Sequence, residues 1–241
     1  MITCKRCGAE CEVSFPEKTI EYFANKGEPF PWLCSTCFEI VERERSEKQK
    51  KEDYDEEAEL DEAVLKAGVA PKYALRYPLF PYVSDFLLDN ADSSILLSGE
   101  TGTGKSTSAG YFVREMLRKG HSVGMHYLGE LMDDWRDARK ADRAAEACQR
   151  LFSELESGDY IVIDECAGKT VNTDSSREFM FRFLEDLTNG RCTSHVILLG
   201  NFYTGSIADM FGDEAPAMRR IRERFVCGRI DPKKKTVTLF K

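Results

Sequence analysis

No apolar run in the 241 residues approaches the ~20 that a membrane helix needs. The start, MITCKRC, carries no apolar signal region. Membrane-spanning and secreted classes are therefore poor fits, and a cytoplasmic chain without a membrane partner is expected. Histidine is scarce. The three present, His121, His126 and His195, have no ligand spacing, so they read as structural. No internal repeat is visible, which excludes a solenoid. A basic excess is missing as well. The net charge is −8, but residues 1–41 carry −2, residues 42–62 carry −6, and the remainder is neutral. The acidic balance thus describes one short segment. It does not exclude nucleic acid, because a local basic patch can act within a neutral domain.

Cysteine is abundant. Four of the nine cysteines form two C-x-x-C pairs, Cys4 with Cys7 and Cys34 with Cys37. Without a signal peptide, such pairs read as metal ligands rather than disulfides. Each pair can put two sulfurs on one tetrahedral ion, and four thiolates close a structural Zn²⁺ site. Cys11 is either a spare ligand or a packing residue. The segment 1–41 is broken by Pro16, Pro29 and Pro31 and is too small for a core of its own, so it needs such a staple. Residues 42–62 are nearly all charged, which fits a solvated helix or a mobile linker.

From residue 63 onward strand and helix signals alternate, which implies an α/β domain with a parallel sheet covered by helices. Strands are expected at 95–98, 122–127, 160–163 and 195–199, with a fifth beginning at 225. Helices are expected over 104–119, 128–138, 141–155, 175–187 and 216–224.

The chemistry concentrates at GETGTGKS: Gly99, Glu100, Thr101, Gly102, Thr103, Gly104, Lys105 and Ser106, with Thr107 next. This matches G-x-x-x-x-G-K-[ST] between a strand and a helix. Glycines let successive N–H groups turn toward phosphates, and the helix N-terminus adds partial positive charge. Lys105 is expected on the β- and γ-phosphates of ATP and Ser106 on Mg²⁺. The second signal is YIVIDE, ending in Asp164 and Glu165. Asp164 would hold Mg²⁺, directly or through water, and Glu165 would polarise the attacking water. Asn201 follows an apolar strand, where a polar side chain faces the ligand crevice. The stretch MRRIRERF carries four arginines, which read either as a finger reaching a neighbour's ATP or as a solvated or DNA-facing basic surface.

Taken together these motifs resemble the AAA+ ATPases of bacterial helicase loaders, the DnaC and DnaI type, with the IstB transposition ATPases as relatives. The resemblance runs from about Leu65 to Phe225. It includes LKAGVAPKY at 65–73, the phosphate loop, IVIDE, the strand ending in Gly200 and Asn201, and the arginine box ending at Arg224. Two departures stand out: the box begins Arg-Arg, and Gly-Asn replaces the usual Ser-Asn. The resemblance implies that Arg224 takes the finger position, with Arg220 as the preceding conserved arginine. It also implies little or no helical lid, self-association through the ATPase domain, and loading of a hexameric replicative helicase onto DNA. The region of Trp135, Arg136, Arg139 and Lys140 matches an insertion that touches single-stranded DNA in that family, and the alternative is a solvated face with Trp135 in the core. Zinc modules of DnaI-like loaders contact the helicase. The expected organisation is a zinc module at 1–41, a charged segment at 42–62 and an ATPase domain at 63–241. An IstB-like ATPase that binds DNA and delivers a transposase is the alternative.

Overall fold

The computed structural model describes residues 2–11, 33, 35–166, 174–201, 221 and 223–240. Cys34 and Arg220 lie outside the described residues, as does most of the helix expected at 216–224. The chain divides into two compact units, Met1–Ala58 and Glu59–Lys241. No helix among the described residues is long and apolar enough to cross a membrane.

In the first unit, β1 (Ile2–Thr3) pairs antiparallel with β2 (Glu10–Cys11). Between them the chain folds tightly: the Gly8 N–H donates to Cys4 O at 2.9 Å and the Cys4 N–H to Ala9 O at 2.8 Å. Gly8 has φ +73°, a conformation that costs glycine little. Helix α1 runs Ser35–Lys66 and takes in the whole of the charged segment. It is rich in Glu, Lys, Arg and Ala, which lose little on entering a helix. Pairs one turn apart line it: Arg43 with Glu47 at 3.0 Å, Gln49 with Asp53 at 2.8 Å, and Lys66 with Glu62 at 2.8 Å. Arg6 forks onto both oxygens of Glu44 at 2.9 and 2.7 Å.

The second unit is built on a six-stranded sheet in the order β4-β5-β6-β3-β7-β8. The strands are β3 (Ser94–Ser98), β4 (Val123–Tyr127), β5 (Tyr160–Asp164), β6 (His195–Gly200), β7 (Phe225–Asp231) and β8 (Thr236–Leu239). The first five are mutually parallel, as expected; β8 returns antiparallel along β7 as an unexpected edge. The helices are α2 (Pro81–Asp89), α3 (Lys105–Arg118), α4 (Leu128–Lys140), α5 (Ala144–Leu155) and α6 (Asp174–Thr188). Among the described residues no helix follows β7.

Strand residues alternate between faces, and the two faces bury separate clusters. Ile95, Leu97, Val162, Ile197 and Leu199 pack with Val83 and Leu87 of α2 and Phe112, Val113 and Met116 of α3. Leu96, Ile161, Ile163, Val196 and Leu198 pack with α4, α5 and α6 through Trp135, Phe152, Phe179 and Phe183. Trp135 is therefore a core residue, 3% exposed, edge-on to Phe152 and Phe179. The outer edge of β4 is met by the turn after α1: Met125 N–H donates to Ala67 O at 2.7 Å. Gly68 makes this approach possible, because a Cβ there would stand 2.1 Å from Met125 O.

A fully buried arginine sits in this scaffold. Arg114 of α3 is 0% exposed. Its Nε donates to Leu75 O at 3.1 Å, and its guanidinium pairs with Asp61 near the end of α1. Asp61 also accepts from Arg76, whose Nε stands at 3.2 Å. One carboxylate thus ties α1, α3 and the segment that follows the short 3₁₀ turn Pro71–Tyr73.

Candidate nucleotide site

β3 is the central strand from which the chain turns upward into the phosphate loop, with β6 on one side and β7 on the other. A ligand crevice at such a point, outside the C-terminal strand ends, is the rule for parallel sheets. The loop is pinned at its root by Gly99 N–H on Gly200 O at 3.1 Å. Gly102 and Gly104 take φ +83° and +91°, which a side chain would strain. Gly104 is required twice over, since a Cβ there would meet the Phe80 ring at 2.3 Å. Thr103, 5% exposed, folds its hydroxyl back to donate to Glu100 O at 2.8 Å. Helix α3 then begins at Lys105, so its first N–H groups face the loop.

A cleft of about 530 Å³ opens there, lined by Thr101, Gly102, Gly104, Lys105, Ser106, Thr107, Asp164, Glu165, Gly200 and Asn201. The structure therefore brings together the loop, both carboxylates and the asparagine that the sequence singled out. Lys105 Nζ donates to Gly99 O at 2.6 Å and Glu100 O at 2.9 Å, which ties it to the root of the loop. Burial pushes its pKa down, and the charge of Asp164 opposes that shift.

Asp164 is 2% exposed at the end of β5. Alternation along YIVID sets it on the same face as Tyr160 and Val162, the face that α3 covers. Its Oδ1 accepts the Glu165 N–H at 2.7 Å. Its Oδ2 is buried and accepts no hydrogen bond. A buried carboxylate oxygen without a donor is costly unless a cation or water meets it, and with the Ser106 hydroxyl in the same cleft it fits a hard ion such as Mg²⁺. Glu165 takes φ +59°, uncommon for a residue with a side chain, and is exposed at the cleft.

The cleft also has an apolar wall that the sequence analysis assigned no role. It consists of Tyr73, Leu79 and Phe80, contributed by the segment leading into α2. They stand 19 to 26 positions before the motif, and only the fold brings them to its cleft. A flat base would meet apolar surface here while phosphates meet the loop.

Arg224 is described and exposed, but it is not at this cleft. It precedes Phe225, which pairs with Ser94 at the start of β3, whereas the phosphate loop leaves the far end after Ser98. Five strand residues separate the two levels, about 16 Å at 3.3 Å per residue. Cys166, buried with its Sγ on Ile163 O at 3.2 Å, packs beneath the site, and burial raises its pKa well above the usual thiol range.

In the first unit, the Sγ atoms of Cys4, Cys7 and Cys37 lie within 4.8 Å of one another. Cys4 and Cys37 are 3% and 5% exposed, and Cys7 is exposed. Thiolates on one tetrahedral Zn²⁺, with bonds near 2.3 Å, stand about 3.8 Å apart, so the donor set and its spacing fit that ion.

No family model matches the chain. The replicative helicase loader DnaC of Escherichia coli K12 is 32% identical over 89 residues, and that of Shigella flexneri matches equally. The match covers 37% of this chain and 35% of theirs, so it spans about a third of the curated relatives' length. Among solved structures, AMPPCP-bound DnaA from Aquifex aeolicus superposes with a TM-score of 0.50 at 16% identity, over 68% of this chain and 51% of that one. A crystal structure of the DnaC helicase loader gives 0.48 at 14% identity, over 62% and 86%. The second unit thus has the α/β P-loop fold of the AAA+ proteins, and the chain resembles the DnaC-type helicase loaders.

Proposed function

We propose that this chain is an ATPase that loads a replicative DNA helicase onto DNA. The observation that carries the reading is the similarity to the loader DnaC in a chain whose phosphate loop and acidic strand meet at one cleft. That similarity favours loading over delivery of a transposase, which would use the same cleft.

In this reading Lys105 leaves the carbonyls of Gly99 and Glu100 for the β- and γ-phosphates, which outbid neutral acceptors for an ammonium. The N–H groups from Thr101 to Thr107 face the phosphate oxygens. Ser106 and Asp164 would hold Mg²⁺, which would neutralise charge on the phosphates. Glu165 accepts a proton from the attacking water, and Asn201 orients that water. Arg224, with Arg220 before it, acts on the nucleotide of a neighbouring subunit, because its own cleft is at the other end of the sheet. Cys4, Cys7, Cys34 and Cys37 hold Zn²⁺ in a docking module at 1–41, joined through 42–62 to the ATPase domain at 63–241.

The test mixes the chain with a hexameric replicative helicase, ATP and circular single-stranded DNA. Co-elution with the helicase, and ATP-dependent transfer of the closed ring onto the circle, are expected. Failure to bind any helicase, with ATP turnover intact, would overturn the loader reading and leave the ATPase standing.

A further inference from the structure

The final hairpin has no part in the reading above. β7 and β8 pair from Gly228 with Leu239 to Asp231 with Thr236, so residues 232–235 form its tip. Because Arg229 is level with Ser98, the tip projects past the end of β3, on the same edge of the sheet as the phosphate loop. The tip sequence is PKKK. Lys233, Lys234 and Lys235 are all exposed, and so is Arg229.

The turn is fixed by something other than its lysine side chains. Asp231 Oδ1 accepts the N–H groups of Lys233 and Lys234 at 3.1 and 3.2 Å. Those donors, with the Lys234 ammonium 3.5 Å from Oδ2, hold the Asp231 carboxyl below its usual pKa. The Arg229 guanidinium lies over the Phe240 ring, 5.2 Å from its centre, which limits its swing. Residues 229–235 carry four basic groups and one acidic group, a local excess of positive charge within residues 63–241, whose net charge is zero with the hairpin included. A cleft of about 420 Å³ runs beside the hairpin, and Arg229 and Lys233 share its lining with Gly99, Glu100 and Asn201. Asn201 also lines the nucleotide cleft.

We infer that the β7–β8 hairpin is a contact for the phosphodiester backbone of DNA, set next to the nucleotide site. An ordered turn that carries three exposed lysines suits a row of phosphates, where binding comes from counterion release. The choice of DNA rests on the loader reading; the basic ridge does not. Asn201, common to both clefts, gives bound DNA a route to the nucleotide.

The test compares the full chain with K233Q/K234Q/K235Q, which keeps the Asp231-held turn while removing three charges. Anisotropy of a labelled oligo(dT) strand and of a labelled duplex is read across a salt series, with binding of a fluorescent ATP analogue measured in parallel. Loss of three contacts lowers the log–log salt slope by about 2 on the single strand and nearer 3 on duplex, and weakens binding at least ~10-fold. The larger loss tells which form the hairpin holds, and ATP binding is unchanged. An unchanged slope and affinity in the variant would overturn the inference, as would a wild-type chain that ignores both DNAs at low salt. If the lysines instead govern retention on the helicase while DNA binding is untouched, the ridge is a protein contact and the inference fails. None of these failures alters ATP binding, so each is distinguishable from a failure of the nucleotide site.

Discussion

Glu165 stands at the mouth of the cleft on a left-handed backbone, one residue beyond the buried Asp164. That conformation costs of order 1 kcal/mol or more and persists where surroundings enforce it, here through the Glu165 N–H on Asp164 Oδ1. The two carboxylates thereby divide: Asp164 faces inward under α3 and Glu165 outward. In the proposed mechanism Glu165→Gln keeps shape and backbone but removes the base, so ATP should still bind while turnover falls by about 10²–10⁴. Lys105→Ala should weaken binding itself; steady-state hydrolysis with a parallel binding titration separates the two. A second carboxyl lends itself to a pH test. Glu156, at the end of α5, has its pKa pushed up to about 7 by burial, with Asp186 adding to the rise and Arg182 opposing it. The folded state then binds more protons than the unfolded one between about pH 4.5 and 7, so this group's stabilisation is lost as pH rises through that window. Glu156→Gln should therefore raise the unfolding free energy at pH 8, read from urea curves, by about 1 kcal/mol after allowance for partial exposure, and change little at pH 4.5. Lys105, Asp164 and Glu165 were legible in sequence because phosphate chemistry admits few residue types at fixed spacings. Leu79 and Phe80 were not, because an apolar wall can be built from any large side chain.

At the scale of elements, the expected strands, and the expected helices between residues 104 and 188, are present with ends shifted by at most three residues, whereas α2 (Pro81–Asp89) has no counterpart among the expectations. β8 escaped notice because its turn, PKKK, contains none of the Asn-Gly or Gly-Gly signals of tight hairpins and its strand is short and exposed. For α1 the sequence left helix and linker open, since charged residues suit both; the structure has a helix whose last turns are tied down by Asp61. Removing that carboxylate strands Arg114 without its ion-pair partner inside α3. Asp61→Ala should cost about 2–3 kcal/mol, below the cost of a wholly buried pair because water reaches Asp61. The double variant Asp61→Ala/Arg114→Met should recover part of that loss, and urea unfolding of the three proteins checks both. In the first unit the sulfurs of Cys4 and Cys7, between β1 and β2, gather with that of Cys37 in α1, where a bound ion would staple a small fold. Purified protein should contain one Zn²⁺ per chain by elemental analysis. Chelation should make the Cys4, Cys7 and Cys37 thiols reactive and melt the first unit, while ATP binding persists.

For the whole molecule, what matters is which end of the sheet each group occupies. The phosphate loop, Asp164, Glu165 and Asn201 lie at the C-terminal ends of the strands, and Arg224 lies at the opposite end. Arg224 therefore does not line the cleft of its own chain, and the proposed finger role requires that cleft to receive an arginine from a neighbour. An arginine supplied in trans is worth ~10³–10⁵ in rate, so isolated subunits should be nearly idle. The sequence placed Arg224 in a basic box but could not give this end-to-end separation, which follows only from the parallel pairing of β3 with β7. The most direct measurement is ATP turnover per chain across a dilution series, repeated with Arg224→Ala chains mixed into wild type. Turnover per chain should fall on dilution, and the variant, still binding ATP, should depress mixed samples by more than its share. Flat turnover on dilution, with loss in simple proportion to the variant added, would contradict a site completed between subunits.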